Sequence, residues 1–219
     1  MTAGRTLISS TDAPLTLSTL GGANLVCANQ ILLGPGKSLA LITYLALAPG
    51  HAASREFLLD LLWSDLDRDR GRHALRQTVW QFRQLFGDAC FTGREELTLG
   101  LAIDADRDRF LAAIEAGDPD RAIALYTGVF LPAFALPGST EFEHWAETER
   151  SRLRATFLRA AEMVARRRLA AGRFRDAQEL ARRIRDTDRL NETGWRLLLK
   201  ALIAGRDLIQ AAVDRKSVV

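Results

Sequence analysis

The sequence predicts a mainly α chain with a small β component, built in two parts. Three observations lead there. The first hundred residues run in the order short strands, three helical stretches, apolar hairpin. Within them, Asp69 to Gly87 reads as one amphipathic helix with a cationic outer face. The second half repeats an Ala-Gly turn followed by a small alanine, and two of the glycines are 33 residues apart. Together these predict a winged helix-turn-helix domain over residues 1–102 and, over residues 103–219, an all-α helical repeat domain of tetratricopeptide type.

Composition sets the outer limits. A chain of 219 residues with 47% apolar content can bury one large or two ordinary cores. It has no apolar run of membrane-spanning length, and its first fourteen residues lack the apolar stretch of a secretory signal, so a cytoplasmic protein with no membrane partner is expected. Cys27 and Cys90 stand far apart and only three histidines are present, which leaves no zinc-ligand spacing and implies no disulfide framework. Both cysteines are expected as small core residues.

Residues 15–33 have strand character. L-T-L-S-T-L alternates apolar and hydroxyl side chains, Gly21-Gly22 marks a turn, and A-N-L-V-C-A leads through Asn29-Gln30 to I-L-L, which predicts three short antiparallel strands. G-P-G-K-S at 34–38 invites a phosphate-loop reading. A Walker loop needs a glycine five positions before Gly36, where Ile31 stands, so the glycines and proline are read as punctuation between strand and helix. From Lys37 the pattern is helical, with Leu41, Ile42 and Leu45, and it stops at Pro49-Gly50. Ser54 caps a second helix that sets Phe57, Leu58, Leu61 and Leu62 along one side. The acidic connector Asp65, Asp67, Asp69 can cap the third.

That third helix has two unlike faces. Leu75, Val79, Phe82 and Phe86 recur at the helical period and form the stripe that docks on a core. His73, Gln77, Trp80 and Gln84 point away from it, and Arg72, Arg76 and Arg83 line a flank. Arginine and glutamine carry planar, forked hydrogen-bonding groups that match guanine and adenine edges, so this surface has the chemistry of a recognition helix. Charge is concentrated there. Residues 1–100 are balanced at nine cations against nine carboxylates, yet Arg68 to Gln84 holds five arginines against one aspartate. Any nucleic-acid footprint is therefore a local stripe and not a general field. After Gly87, A-C-F-T and L-T-L-G flank the polar turn G-R-E-E and make the hairpin.

These residues resemble a known family. K-S-L-A-L-I-T-Y-L-A-L-A-P-G, S-R-E-F-L-L-D-L-L-W and L-R-Q-T-V-W-Q-F-R-Q-L-F-G are similar to the amino-terminal domain of the Streptomyces antibiotic regulatory proteins, activators with an OmpR-like winged helix followed by a bacterial transcriptional activator domain. A-L-Y-T-G-V-F-L-P-A-F, E-F-E-H-W-A-E-T-E-R-S-R-L-R and A-A-G-R-F-R-D-A-Q-E-L-A-R-R-I-R-D-T-D-R-L-N-E resemble stretches of that second domain, and the likeness spans roughly residues 15–205. It implies that Arg76, Gln77 and Arg83 lie in the DNA-reading helix, that Arg94 lies in the wing, and that the helical domain contacts RNA polymerase. Trp80 and the acidic wing turn depart from the family pattern.

In the second half, Ala116-Gly117 with Ala122, Ala171-Gly172 with Ala177, and Ala204-Gly205 with Ala211 one place late are the repeat signal. Stacked helix pairs of this kind expose a concave surface for a peptide or partner helix. Asp104, Asp106 and Asp108 lack the glycine and distal glutamate of a calcium loop and are read as the capped start of a linker helix. Asp118-Pro119 reads as cap and first-turn proline. Trp145 and Trp195 are read as packing anchors, and the run Arg166 to Arg168 as a favourable charge cluster at a helix end. His51, His73 and His144 accompany no nucleophile motif, so no enzyme, cofactor or metal is expected.

The function expected is sequence-specific binding of double-stranded DNA by Arg72, His73, Arg76, Gln77, Trp80, Arg83 and Arg94, as a homodimer on directly repeated half-sites. The alternative is a protein-interaction module whose winged helix does not bind DNA, or the amino-terminal part of a longer sensor. The latter has its motive in the short segment after Gly205, which caps a repeat array poorly.

Overall fold

The computed structural model describes residues 14–205. Strands β1 (Leu15–Ser18), β2 (Asn24–Cys27) and β3 (Gln30–Leu33) pair antiparallel, as their alternation predicts. Helix α1 (Lys37–Leu47) follows, with seven of its eleven residues buried. It ends at Pro49-Gly50, where Gly50 takes φ +64°, the left-handed conformation that glycine adopts freely. Lys37, from the apparent phosphate loop, pairs with Asp65 at 3.3 Å and lies over the Trp63 ring, so it fastens the start of α1 to the turn after the second helix.

Two strands escape the sequence pattern. β4 (Ala52–Ser54) precedes helix α2 (Arg55–Leu62) and pairs with the hairpin formed by β5 (Phe91–Thr92) and β6 (Glu96–Leu99), giving a three-stranded wing in the order β4-β6-β5. β7 (Ile103–Ala105) runs parallel to β1 and completes a four-stranded sheet, β3-β2-β1-β7. Each is three residues long. Alternation cannot be read over so short a run, and only the neighbouring strand identifies it.

By internal contact the chain forms two compact units. Among the described residues, the first holds 14–109 together with 127–150, and the second holds 110–126 with 151–205. A single cut between residues 102 and 103 does not follow these units, because 127–150 packs with the winged helix. Gly21 N–H donates to the Val129 carbonyl at 2.9 Å, Leu131 N–H donates to the Thr19 carbonyl at 2.7 Å, and the Thr127 hydroxyl donates to the Leu20 carbonyl. The chains approach so closely that a Cβ on Gly128 would lie 2.8 Å from the Gly21 Cα. Ser139, 1% exposed, donates its hydroxyl to the Leu62 carbonyl at 2.8 Å. The Trp145 ring sits against Tyr44, Phe130 and Phe142, the packing role expected of it.

In the second unit lie most of helix α4 (Asp106–Glu115), α5 (Pro119–Leu125), the later part of α6 (Thr140–Ala170), α7 (Phe174–Thr187) and α8 (Glu192–Ala204). The repeat is exact in its hydrogen bonds at two turns. Gly117 and Gly172 take φ +69° and +71°, and the residue after each closes a six-residue turn: Asp118 N–H to Ala113 and Arg173 N–H to Arg168, both at 2.9 Å. Ala122 and Ala177 are fully buried at the crossings. The third copy departs, with Gly205 at φ −77°, and Ala211 lies outside the described residues. Asp118 caps α5 through Arg121 N–H, with Pro119 in the first turn.

Asp106 does more than begin α4. Its carboxylate accepts the Thr19 N–H and Leu20 N–H, both at 2.9 Å, and the Thr19 hydroxyl at 2.5 Å, tying the end of β1 to the start of the helix. Arg167 and Arg168 both pair with Asp120 on α5. Burial pushes the Asp120 carboxyl up, but hydrogen bonds from Arg168 and Arg167 outweigh it and hold the group below its ordinary value. Cys27 and Cys90 are buried, the small core residues expected, and burial raises the Cys90 thiol above its ordinary value.

Candidate nucleic-acid interface

Helix α3 (Arg68–Phe86) begins where Asp67 accepts the Arg70 N–H at 2.9 Å, and ends at Gly87 with φ +84°. Leu75, Val79 and Phe82 are buried, as the stripe requires, and Phe86 is half-buried with its ring stacked on Phe82 at 5.9 Å. Gly71 is also buried. A Cβ there would lie 3.4 Å from Leu59 Cδ2 and 3.8 Å from Trp63 Cβ, ordinary contact distances, so α2 and α3 pack closely here with room for a methyl group. On α2, Ser54 accepts the Phe57 N–H as its cap. Its buried side is Leu58, Leu59, Leu61 and Leu62; Phe57, expected among them, is 44% exposed and leans on Tyr44 at a ring distance of 5.3 Å. Leu59 takes the place expected of Phe57 because both α1 and α3 press on α2, which widens its apolar face.

The outward surface of α3 divides the expected DNA-reading residues. His73, Arg76 and Gln77 are exposed, and Trp80 is 56% exposed on the same surface. Arg76 makes no ion pair among the described residues. Arg72 is exposed but engaged: it donates to Glu56 of α2 at 3.0 Å, and Arg68 donates to the same carboxylate at 2.6 Å. The Arg72 hydrogen bond is the main reason the Glu56 carboxyl sits below its ordinary range, with slight burial opposing and the Arg72 and Arg68 charges assisting.

Arg83 corrects the sequence expectation. It does not join the outer flank. It is half-buried, its Nη2 donates to the Phe91 carbonyl at 3.3 Å, and its Nε is buried with no hydrogen-bond partner among the described residues. The cause is tertiary: the wing begins directly after α3, and its first strand covers the side of the helix from which Arg83 projects. Arg83 thus steadies the wing. Arg94 stands exposed at the wing turn, as expected. Its carbonyl accepts Arg55 Nε at 2.8 Å, and the neighbouring Glu95 carbonyl accepts the Arg55 N–H at 2.9 Å. Burial, then the charge of Arg83, lowers Arg55 from its usual value, although a guanidinium remains a cation at any physiological pH.

Arg55 and Glu56 were not legible as site residues. Glu56 lies 16 residues from Arg72 and Arg55 lies 39 from Arg94, and neither separation is a helical or hairpin spacing. What results is a ridge of exposed Arg76, Gln77, His73 and Trp80 on one helix, an exposed Arg94 at an otherwise acidic wing turn, and carboxylates that partly neutralise the helix start, Glu56 with Arg68 and Arg72 and Asp60 with Arg68. Planar donors on a helix beside a hairpin can contact base edges and phosphates together.

Residues 100–208 match the family model described as bacterial transcriptional activator domain. Among solved structures, the chain is similar to Mycobacterium tuberculosis EmbR in complex with a low-affinity phosphopeptide, at 18% identity and a TM-score of 0.68. The match covers 94% of this chain and 59% of that one, so this chain spans well under two thirds of that protein's length. A comparison with curated proteins found no significant match. No helix among the described residues is long and apolar enough to cross a membrane.

Proposed function

Because residues 100–208 match the bacterial transcriptional activator domain, we propose that the chain is a regulator of the Streptomyces antibiotic regulatory protein type, which activates transcription in the cytoplasm by binding specific duplex DNA. In this reading residues 1–102 are the DNA-binding module and 103–219 the module that contacts RNA polymerase. The observation that carries it is the exposure of Arg76, Gln77 and Trp80 on the one long helix of the winged helix, with Arg94 at the wing tip. Helix α3 lies in the major groove, where Arg76 and Gln77 read base edges and Trp80 meets thymine methyls. Arg72 and Arg94 contact phosphates. Arg83 acts by holding the wing. One such module covers little DNA, so two copies occupy directly repeated half-sites about one helical turn apart.

The test is selection of bound fragments from a random duplex pool with the full chain, followed by titration of the winner over a salt series. Binding should select repeated half-sites, saturate at two chains per fragment, and weaken steeply with salt as counterions compete for the phosphates. Absence of any bound duplex at low salt would overturn the proposal in favour of a protein-interaction module.

A further inference from the structure

One face of α6 is only partly covered among the described residues. Thr156, Ala160, Met163, Arg166 and Leu169 follow one another at three- and four-residue steps, so they lie on a single stripe about 20 Å long. Two hollows open along it. Toward α8, Arg166 and Leu169 face Arg196, Leu197 and Lys200 across a cavity of about 420 Å³. Toward the turn between α4 and α5, Arg159, Ala160 and Met163 face Ile114 and Pro119 across one of about 260 Å³. Met163, 56% exposed, belongs to the stripe between them. A methionine so exposed in a lined hollow is a flexible apolar group available to a ligand side chain.

The charge around this floor is positive. Arg166 has only a weak pair with Glu162, at 3.9 Å, and Arg196 is paired with Glu192 at 2.5 Å. Arg159 donates to the Thr156 hydroxyl at 3.1 Å and, like Lys200, has no carboxylate partner among the described residues. Four cations therefore stand against two carboxylates around hollows that each present an apolar group, Leu169 in one and Met163 in the other. We infer that this groove docks an acidic segment of a partner protein, whose apolar side chains enter the two hollows while its carboxylates meet Arg159, Arg166 and Lys200. The exposed Met163 and half-buried Leu169 favour a peptide over a nucleic acid, since a phosphate backbone has nothing to place on them. The chain's own residues 206–219, with three cations against two carboxylates, do not have the complementary charge. The inference rests on reading 103–219 as a partner-binding module, but not on DNA binding by α3.

The experiment uses the full chain and a fluorescent peptide of about ten residues in which leucine alternates with aspartate and glutamate, long enough to run the groove at about 3.3 Å per residue. A matched peptide with lysine in place of the acids is the control, and a labelled duplex is titrated in parallel. The acidic peptide should bind, weaken with salt, and lose about tenfold in affinity in the double variant Arg166→Glu, Lys200→Glu, with duplex binding and the melting curve unchanged. Met163→Asp should weaken it independently, and Arg166→Gln with Lys200→Gln serves if charge reversal harms folding. No binding of the acidic peptide, equal binding of the basic one, or an affinity indifferent to all three variants would overturn the inference. Loss of duplex binding in the groove variants, with the peptide unaffected, would reassign the groove to nucleic acid. Failure of the duplex to bind the parent chain, with the peptide bound as expected, would refute DNA binding and leave the groove standing.

Discussion

Glu56→Gln is expected to tighten DNA binding, the opposite of what most changes near an interface do. The carboxylate takes hydrogen bonds from Arg68 at 2.6 Å and Arg72 at 3.0 Å, and both guanidinium groups are more than half exposed. It therefore neutralises cations at the start of the helix proposed to enter the groove while adding little to stability, as exposed ion pairs do. Freeing one cation adds one phosphate contact, which steepens the slope of log K against log salt by about 0.9 and, relative to 1 M salt, strengthens binding about eightfold at 0.1 M. Fluorescence anisotropy with one duplex across a salt series reads both quantities. The sign with pH also follows. The folded-state pKa of Glu56 is lowered, chiefly by the Arg72 hydrogen bond, so its contribution is present above the unfolded carboxyl value and lost as pH falls through the lower folded one. From about pH 5 to about pH 8 the group stays charged, and the difference between parent and variant should be constant. An unchanged slope, or weaker binding in the variant, would refute the assignment of this helix face to DNA.

Three further outcomes are expected. Arg76→Ala should cost about 1–3 kcal/mol on the selected site if the side chain reads a base, with thermal stability unchanged because the residue is exposed; equal affinity would remove it from the interface. Asp106→Ala should destabilise the first unit by about 3 kcal/mol in urea unfolding, because it strands two backbone N–H groups and a hydroxyl at Thr19 and Leu20, which are 0% and 2% exposed. Gly172→Ala should cost about 1–2 kcal/mol by the same measurement, since no atom lies within 4 Å of the added Cβ and the penalty comes from holding alanine at φ +71°.

Much of the fold was legible because its signals are local. The Ser54, Asp67 and Asp118 caps, the stop at Pro49-Gly50 and the left-handed turns at Gly117 and Gly172 each depend on a few adjacent residues. The stripe of α3 was legible for the same reason, since Leu75, Val79 and Phe82 are spaced by the helix itself. Phe57 and Arg83 were misplaced because burial on a helix flank is set by what arrives from elsewhere. In the one case α1 and α3 broaden the apolar face of α2 to take Leu59, and in the other the wing covers a guanidinium that spacing alone would leave in solvent.

By itself the sequence determined where α2, α3 and α5 are capped, where α1 and α3 stop, which face of α3 is apolar, and that a glycine-alanine repeat governs the second half. All of these follow from backbone preferences and side-chain periodicity over a few turns. Only the tertiary structure decided that residues 127–150 pack with the winged helix, that β4 and β7 exist as strands, that Glu56 claims Arg72, and that α6 has an open cationic stripe beside α8. Those features join groups from 16 to more than 100 positions apart, and contacts at such separations are made by the packing of whole elements, of which no local pattern keeps a trace.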